Sequence, residues 1–330
     1  MKQQTPEAIR TNSLRAWWLA ARPKTLTGAA APVLVALSAA WRDLNFADPG
    51  LTEGCRPPQG EFSWTPALLC LFFALLMQVD ANFVNDYFDF RKGRDDRETR
   101  LGPPRACSEG WITPRAMEWG IGITTTLACL AGLPLVQWGG WWLVAIGVAC
   151  VVFCFLYTTL LAGIGLGDVL VLVFFGLVPV CATYFIQTGE VTLSVLLLSI
   201  GMGLATDCLL VVNNYRDREQ DRTAGKRTIV VLLGGRFAEW LYLALGVLAI
   251  LLPLIPAVYS SMNSNSYSSH STLHISLFTL LPLFYLIQHT RTWLRMKRLH
   301  HGRPLNAVLG QTAANIFLYA LLESLALLLA

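Results

Sequence analysis

Long stretches almost free of charge, separated by short clusters crowded with it, dominate this sequence. A helix needs about 20 largely apolar residues to cross the ~30 Å hydrocarbon core of a bilayer, where every backbone polar group must be satisfied internally. Stretches of that length occur at 24–41, 65–86, 116–137, 139–159, 165–187, 191–214, 237–259, 272–290 and 308–329. The expected fold is therefore an all-α polytopic membrane protein, a bundle of about nine transmembrane helices. Composition agrees: charged residues are 14% of the chain, against roughly 25% in an average soluble domain.

Lys and Arg mark the sides of the membrane, because loops that stay in the cytoplasm carry them in excess. With the N-terminus cytoplasmic and the C-terminus outside, nine spans put residues 1–24, 91–115, 216–236 and 291–303 on the inner side. Those four segments hold 23 of the 25 Lys and Arg, leaving only Arg42 and Arg56 on the other face. Such a bias accounts for the net charge of +4 without a nucleic-acid partner. The eight cysteines sit mostly inside apolar stretches, with no CxxC pair of metal-binding spacing. Glu7, Arg10, Arg15 and Arg22 precede the first apolar run, so no cleavable signal peptide is expected.

Two of the inner segments, 91–115 and 216–236, are long, mixed in charge and rich in Asp, Arg and Gly. Each follows a span that ends in Asn and Asp. The first motif reads Asn82-Phe-Val-Asn85-Asp86-Tyr87-Phe-Asp89 and runs on through Arg91, Lys92, Arg94 and Asp95. On a helix its Asn and Asp positions share one face, because i, i+3/i+4 and i+7 align at about 3.6 residues per turn. The second reads Asn213-Asn214-Tyr215-Arg216-Asp217, with Asp221 one turn further. This weak internal repeat divides a single domain, 1–330, into two halves and a C-terminal remainder, with 1–23 as a cytoplasmic N-terminal segment.

Both motifs lie at helix C-termini, where the dipole already adds partial negative charge, so carboxylates packed there need a cation. Mg²⁺ suits them, since it prefers hard oxygen ligands and is commonly held by one or two carboxylates plus substrate phosphates. Neighbouring Arg91, Arg94, Arg105, Arg216, Lys226 and Arg227 can meet the remaining phosphate charge. Ordinary solvated loop charge explains Arg97, Glu98, Glu219 and Arg222 well enough. It does not explain paired Asn/Asp faces occurring twice. Asp168, after Gly165-Leu-Gly167, reads equally as a helix cap or a site residue.

Asn85-Asp86-Tyr87-Phe-Asp89 followed by Lys92-Gly93, with Asn214-x-Arg216-Asp217-x-x-x-Asp221 followed by Gly225-Lys226-Arg227-Thr228, resembles the UbiA-type intramembrane prenyltransferases. Within them the pattern is most similar to the menaquinone-pathway branch that acts on 1,4-dihydroxy-2-naphthoate. Ala21-Arg22-Pro23-Lys24-Thr25-Leu26, Gly102-Pro103-Pro104-Arg105, Thr183-Tyr184 with Gln187-Thr188-Gly189, and Leu305-Asn306 with Gln311-Thr312-Ala313 agree with that branch. The connection from Tyr157 to Asp168 departs from it, having no proline.

The resemblance implies transfer of a polyprenyl chain from an allylic polyprenyl diphosphate to an aromatic acid in the lipid bilayer. In the naphthoate branch CO₂ and diphosphate leave and demethylmenaquinol forms. It implies that Asp86, Asp89, Asp217 and Asp221 are catalytic and bind Mg²⁺, with Asp95 a further acid nearby. Asn82 and Asn214 would orient the metal–phosphate assembly, Asn85 and Tyr157 would join the substrate site, and Lys24, Arg91, Arg94, Lys226 and Arg227 would contact phosphate. Tyr87, Phe88, Phe174, Phe175 and Tyr184 are candidates for a tunnel wall. The implied location is the inner (cytoplasmic) membrane, active site toward the cytoplasm.

A secondary transporter is the main rival of another class, but its acids would lie near the bilayer midplane on broken helices. A CDP-alcohol phosphotransferase would open with Asp-Gly-x-x-Ala-Arg, which is absent. Enzymes of the same fold acting on 4-hydroxybenzoate, homogentisate or a haem vinyl group share the first motif, and fold alone does not separate them.

Overall fold

The computed structural model describes residues 9–46, 60–93, 100–159, 165–263 and 280–329, and among them every regular element is helical. Arg94 and Asp95 lie outside the described residues. The helices are α1 (Leu14–Ala21), α2 (Pro23–Phe46), α3 (Trp64–Arg91), α4 (Pro114–Gly132), α5 (Val136–Gly139), α6 (Trp142–Thr159), α7 (Gly167–Leu172), α8 (Val178–Thr188), α9 (Leu193–Thr223), α10 (Ile229–Leu233), α11 (Gly235–Asn263), α12 (Leu283–Leu299) and α13 (Leu305–Leu329). Seven are long and apolar enough to cross a membrane once α4 is joined to α5 and α7 to α8; α6 is apolar but shorter. The expected eighth span, 272–290, falls partly outside the described residues. What is seen there is α12, which starts after Pro282 and carries Arg291, Arg295, Lys297 and Arg298.

The helices close into a ring. α3 packs on α2, α4, α6 and α8, α8 on α9, α9 on α11, α11 on α12, α12 on α13, and α13 returns to α2. α9 lies deepest, with 67% of its span buried against 22% for α4. The outer faces stay apolar: Trp119 is 75% exposed and Leu130 61%. An apolar surface of that extent needs a lipid solvent.

The Ala-rich first span is short on hydrophobic bulk but not on packing. Ala31, Ala36, Ala39 and Ala40 of α2 are fully buried against Tyr184, Tyr285 and Tyr319. Small residues let the backbones approach, which is how helices associate where water gives no driving force. At one end of the bundle Tyr184 donates to Asp43 (2.7 Å), and Gln187 exchanges bonds with the backbone of Ser63. Tyr184, Gln187 and Thr188 are thus clamps at the end remote from both acidic motifs, and Tyr184 is not among the residues lining either cavity described below.

Length positions the motifs. About 20 residues cross the hydrocarbon, while α3 has 28 and α9 has 31. Their C-terminal turns, carrying 82–91 and 213–223, therefore project past the apolar core on one side. Asp80 stays within α3, fully buried, and accepts the hydroxyl of Thr125 at 2.9 Å.

Between α7 and α8 the chain makes a π-helical turn, Val173–Leu177. The added residue in that turn brings both Phe174 and Phe175 onto the cavity described below. Gly176 permits it: a Cβ there would stand 2.5 Å from the Ser199 carbonyl and 2.7 Å from the Gly203 Cα. Gly176→Val is expected to cost about 1–3 kcal/mol through overpacking. Thermal unfolding of the purified variant in detergent checks this, and an unchanged midpoint would deny the close approach its importance.

Candidate active site

One cavity of about 780 Å³ runs down the bundle. α3 lines it with Cys70, Phe73, Met77, Ala81 and Asn85, a stripe at helical spacing about 22 Å long. Phe153, Phe174, Phe175 and Ile316 continue the apolar wall. The polar end is lined by Arg22, Lys24, Thr25, Asn85, Asn213, Arg216 and Asn306. Of the residues expected from sequence, Lys24, Asn85, Tyr157, Phe174, Phe175 and Arg216 line this cavity.

The first motif does not present one face but two. Asn82 and Asp86 point into the protein. Asp86 is 1% exposed and accepts the backbone N–H groups of Ala106 (2.7 Å) and Cys107 (2.9 Å), one on each oxygen. Asn82 donates to the Ala21 carbonyl and the Thr25 hydroxyl, both at 2.9 Å. These bonds fix the corner between α1 and α2, where Arg22 has a left-handed backbone (φ 51°) rarely adopted by non-glycine residues. The expectation of Asp86 and Asn82 at the metal meets a different geometry, in which both hold backbone in place. Asn85, on the neighbouring stripe, lines the cavity, whereas Asp89, four residues further on, is not among its lining residues.

Asp89 is reached by Arg105, whose Nη2 lies 2.9 Å from Oδ2. Arg105 belongs to a strap, residues 100–107, that crosses from α3 to α9 and α13. Asn306 donates to the Leu101 carbonyl (2.8 Å), and Gly102 leaves room for the Arg216 guanidinium, 3.1 Å from where a Cβ would be. Arg216 is 4% exposed and bonds Asp217 through two nitrogens (2.7 and 2.6 Å), Asn213 (2.8 Å) and Asn306 (2.8 Å). Asp221 pairs with Lys226 at 2.6 Å. Sequence reading offered Arg105 and Arg216 for phosphate charge but assigned no site role to the rest of the strap, to Asn213 or to Asn306. Pro103-Pro104, which stiffens the approach to Arg105, was the available signal.

Other expected residues lie apart from this cleft. Arg91 is exposed and its guanidinium sits 5.8 Å from the Tyr87 ring centroid. Arg227 is exposed, with its carbonyl 2.6 Å from where a Cβ on Gly165 (φ +85°) would stand, so only glycine fits that contact. Asn214 faces a small second cavity of about 20 Å³ with Asp168, Thr228 and Tyr157, and Tyr157 divides it from the main one.

Among the described residues no three His, Cys, Asp or Glu side chains form a metal cage by themselves. The donors instead sit at two helix ends, Asn85 and Asp89 on α3 and Asp217 and Asp221 on α9, and of the four Asn85 alone is among the residues lining the cavity. Hard oxygens in small number fit Mg²⁺, which leaves much of its shell to water and phosphate.

Comparison with known proteins agrees with this architecture. A model of the UbiA prenyltransferase family matches residues 57–302. The chain is 35% identical over 251 residues to 1,4-dihydroxy-2-naphthoate octaprenyltransferase of Haemophilus influenzae, covering 72% of this chain and 76% of that one. It is 28% identical over 328 residues to UbiA prenyltransferase domain-containing protein 1 of Homo sapiens, covering 94% and 85%. The fold matches that of a UbiA homolog from Archaeoglobus fulgidus bound to DMAPP and Mg²⁺, with TM-score 0.56, 13% identity, and coverage of 93% and 98%. This multi-pass helical membrane protein belongs to the UbiA prenyltransferase family.

Proposed function

We propose that the protein transfers a polyprenyl chain from an allylic polyprenyl diphosphate to 1,4-dihydroxy-2-naphthoate, releasing diphosphate and CO₂ and leaving demethylmenaquinol. The cavity carries this reading. It is one apolar chamber with a charged end adjoining both acidic motifs, suited to a substrate that is isoprenoid at one end and diphosphate at the other. The relatives named for octaprenyl transfer to this naphthoate support the acceptor.

Asn85, Asp89, Asp217 and Asp221 are the residues that would hold Mg²⁺, which when bound neutralises charge as diphosphate leaves. Lys24 and Arg22 at the α1–α2 corner, with Lys226 opposite, meet phosphate oxygens. Asp86 and Asn82 keep the strap and the corner in place. Phe174, Phe175 and Tyr157 offer ring faces to the allylic cation, and the apolar wall keeps water from capturing it. The acceptor ring attacks from the same chamber, so no strong protein base is needed when carboxylate is lost as CO₂.

The reading keeps nine spans, with the motif-bearing ends and the N-terminus in the cytoplasm and the C-terminus outside. The placement of 23 of 25 Lys and Arg supports it, and the inner membrane is the location that follows. Membranes containing the protein are incubated with labelled octaprenyl diphosphate, Mg²⁺ and one acceptor at a time. Prenylated product and released CO₂ are expected with the naphthoate. Product with 4-hydroxybenzoate or homogentisate alone would move the protein to another branch of the same fold, and gradient-driven solute uptake without prenyl transfer would make it a transporter.

A further inference from the structure

Every carboxylate proposed for the metal already has a cationic partner: Arg105 on Asp89 at 2.9 Å, Arg216 on Asp217 at 2.6 Å, Lys226 on Asp221 at 2.6 Å. The three cations are mounted differently. Arg216 is locked by Asn213 and Asn306 as well as by Asp217, deep in α9. Arg105 and Lys226 stand outside the helices, one in the strap and the other in the turn after α9. The exchange asks only the side chains of Arg105 and Lys226 to turn, with the strap and the turn left in place.

A divalent cation that takes oxygens of Asp89 and Asp221 comes up against Arg105 and Lys226. Like charges about 4 Å apart repel by several kcal/mol even at an effective dielectric of 20. A diphosphate arriving with the metal removes that conflict, because it offers the displaced cations new oxygens. Arg105 can present two parallel N–H groups to them.

We propose that Arg105 and Lys226 are exchange arms: each holds a carboxylate of the site and passes to the diphosphate when a divalent cation takes its place. Metal and diphosphate then bind as a coupled pair. The proposal rests on the functional reading above and adds to it that Arg105 and Lys226 leave a carboxylate in order to reach the diphosphate. Coupling is reciprocal, so the factor by which diphosphate tightens metal is the factor by which metal tightens diphosphate. Removing an arm acts with opposite signs: it frees a carboxylate for the metal and takes a ligand from the diphosphate. A residue that merely props the fold weakens both.

The test measures Mn²⁺ binding by electron paramagnetic resonance of the full-length protein in detergent, with and without inorganic pyrophosphate, and pyrophosphate binding by calorimetry. Arg105→Gln is expected to bind Mn²⁺ alone about tenfold more tightly and pyrophosphate about tenfold more weakly, a change of ~1.4 kcal/mol each way, with the coupling factor falling toward one. Arg105→Lys keeps the charge and retains most of the coupling. Arg105→Gln that weakens Mn²⁺ alone, or keeps the wild-type coupling, overturns the exchange. Lys226→Gln, altered in a partly exposed turn, carries the same expected signs and decides the matter if Arg105→Gln does not fold. A wild-type protein that binds neither probe overturns the functional reading itself. Independent binding of both overturns only the exchange.

Discussion

Asp89→Ala is expected to lower the rate of prenyl transfer by about 10³-fold, with the protein still folded. The side chain is 21% exposed, and among the described residues its bond is to the Arg105 side chain and not to backbone, so little structure is expected to go with it. On the proposed mechanism, what is lost is an anionic ligand where charge develops on the leaving diphosphate. The loss is compounded because Arg105, 9% exposed, keeps its charge without that partner. Initial rates at saturating donor and acceptor, beside a size-exclusion profile, measure the two quantities separately. A variant within tenfold of wild type would remove Asp89 from the metal site.

Asp86→Asn has the opposite character, and its damage is structural first. The carboxylate accepts two buried N–H groups, and hydrogen bonds to a charged group are each worth about 1.5–3 kcal/mol. An amide has one accepting atom, so its NH₂ group faces a backbone donor. The strap then loosens, and the Cys107 thiol, 4% exposed, becomes reachable. Maleimide labelling of the Cys107 peptide, followed by mass spectrometry, is expected to speed up at least about tenfold in Asp86→Asn and to stay at the wild-type rate in Asp89→Ala. Equal labelling in all three proteins would return Asp86 to the metal-ligand set.

The contrast between these neighbours shows what the sequence conveys and what it withholds. Apolar stretches alone mark the chain as a multi-span helical membrane protein, because bilayer thickness is a constraint that acts on each segment separately, but they do not fix the count: seven described helices meet the length against the nine expected. The acidic motifs were equally legible as chemistry, since carboxylates at two helix ends require a counter-charge whatever surrounds them. Periodicity could not tell Asn82 and Asp86 from Asn85 and Asp89, as stripes one residue apart overlap on a helical face. Only the backbone N–H groups of Ala106 and Cys107 decide which stripe turns inward, and these come from a strap with no regular pattern. The π-helical turn at Phe174 and Phe175 was hidden for a similar reason. It exists because Gly176 meets Gly203 across two helices, a contact between segments that each look like plain apolar helix.

The strap also has a consequence for how the enzyme comes into being. Leu101 is bonded by Asn306, which follows it by 205 residues, so at about 5–20 residues per second the strap is synthesised roughly 10–40 s before that partner exists. During this interval the early helices can be inserted while the 100–107 segment still lacks its later anchors at Arg216 and Asn306. Ribosome-bound chains ending before α13 therefore carry both acidic motifs but an unfinished cleft. Translation itself thus delays the appearance of a competent site until the last helix has been made.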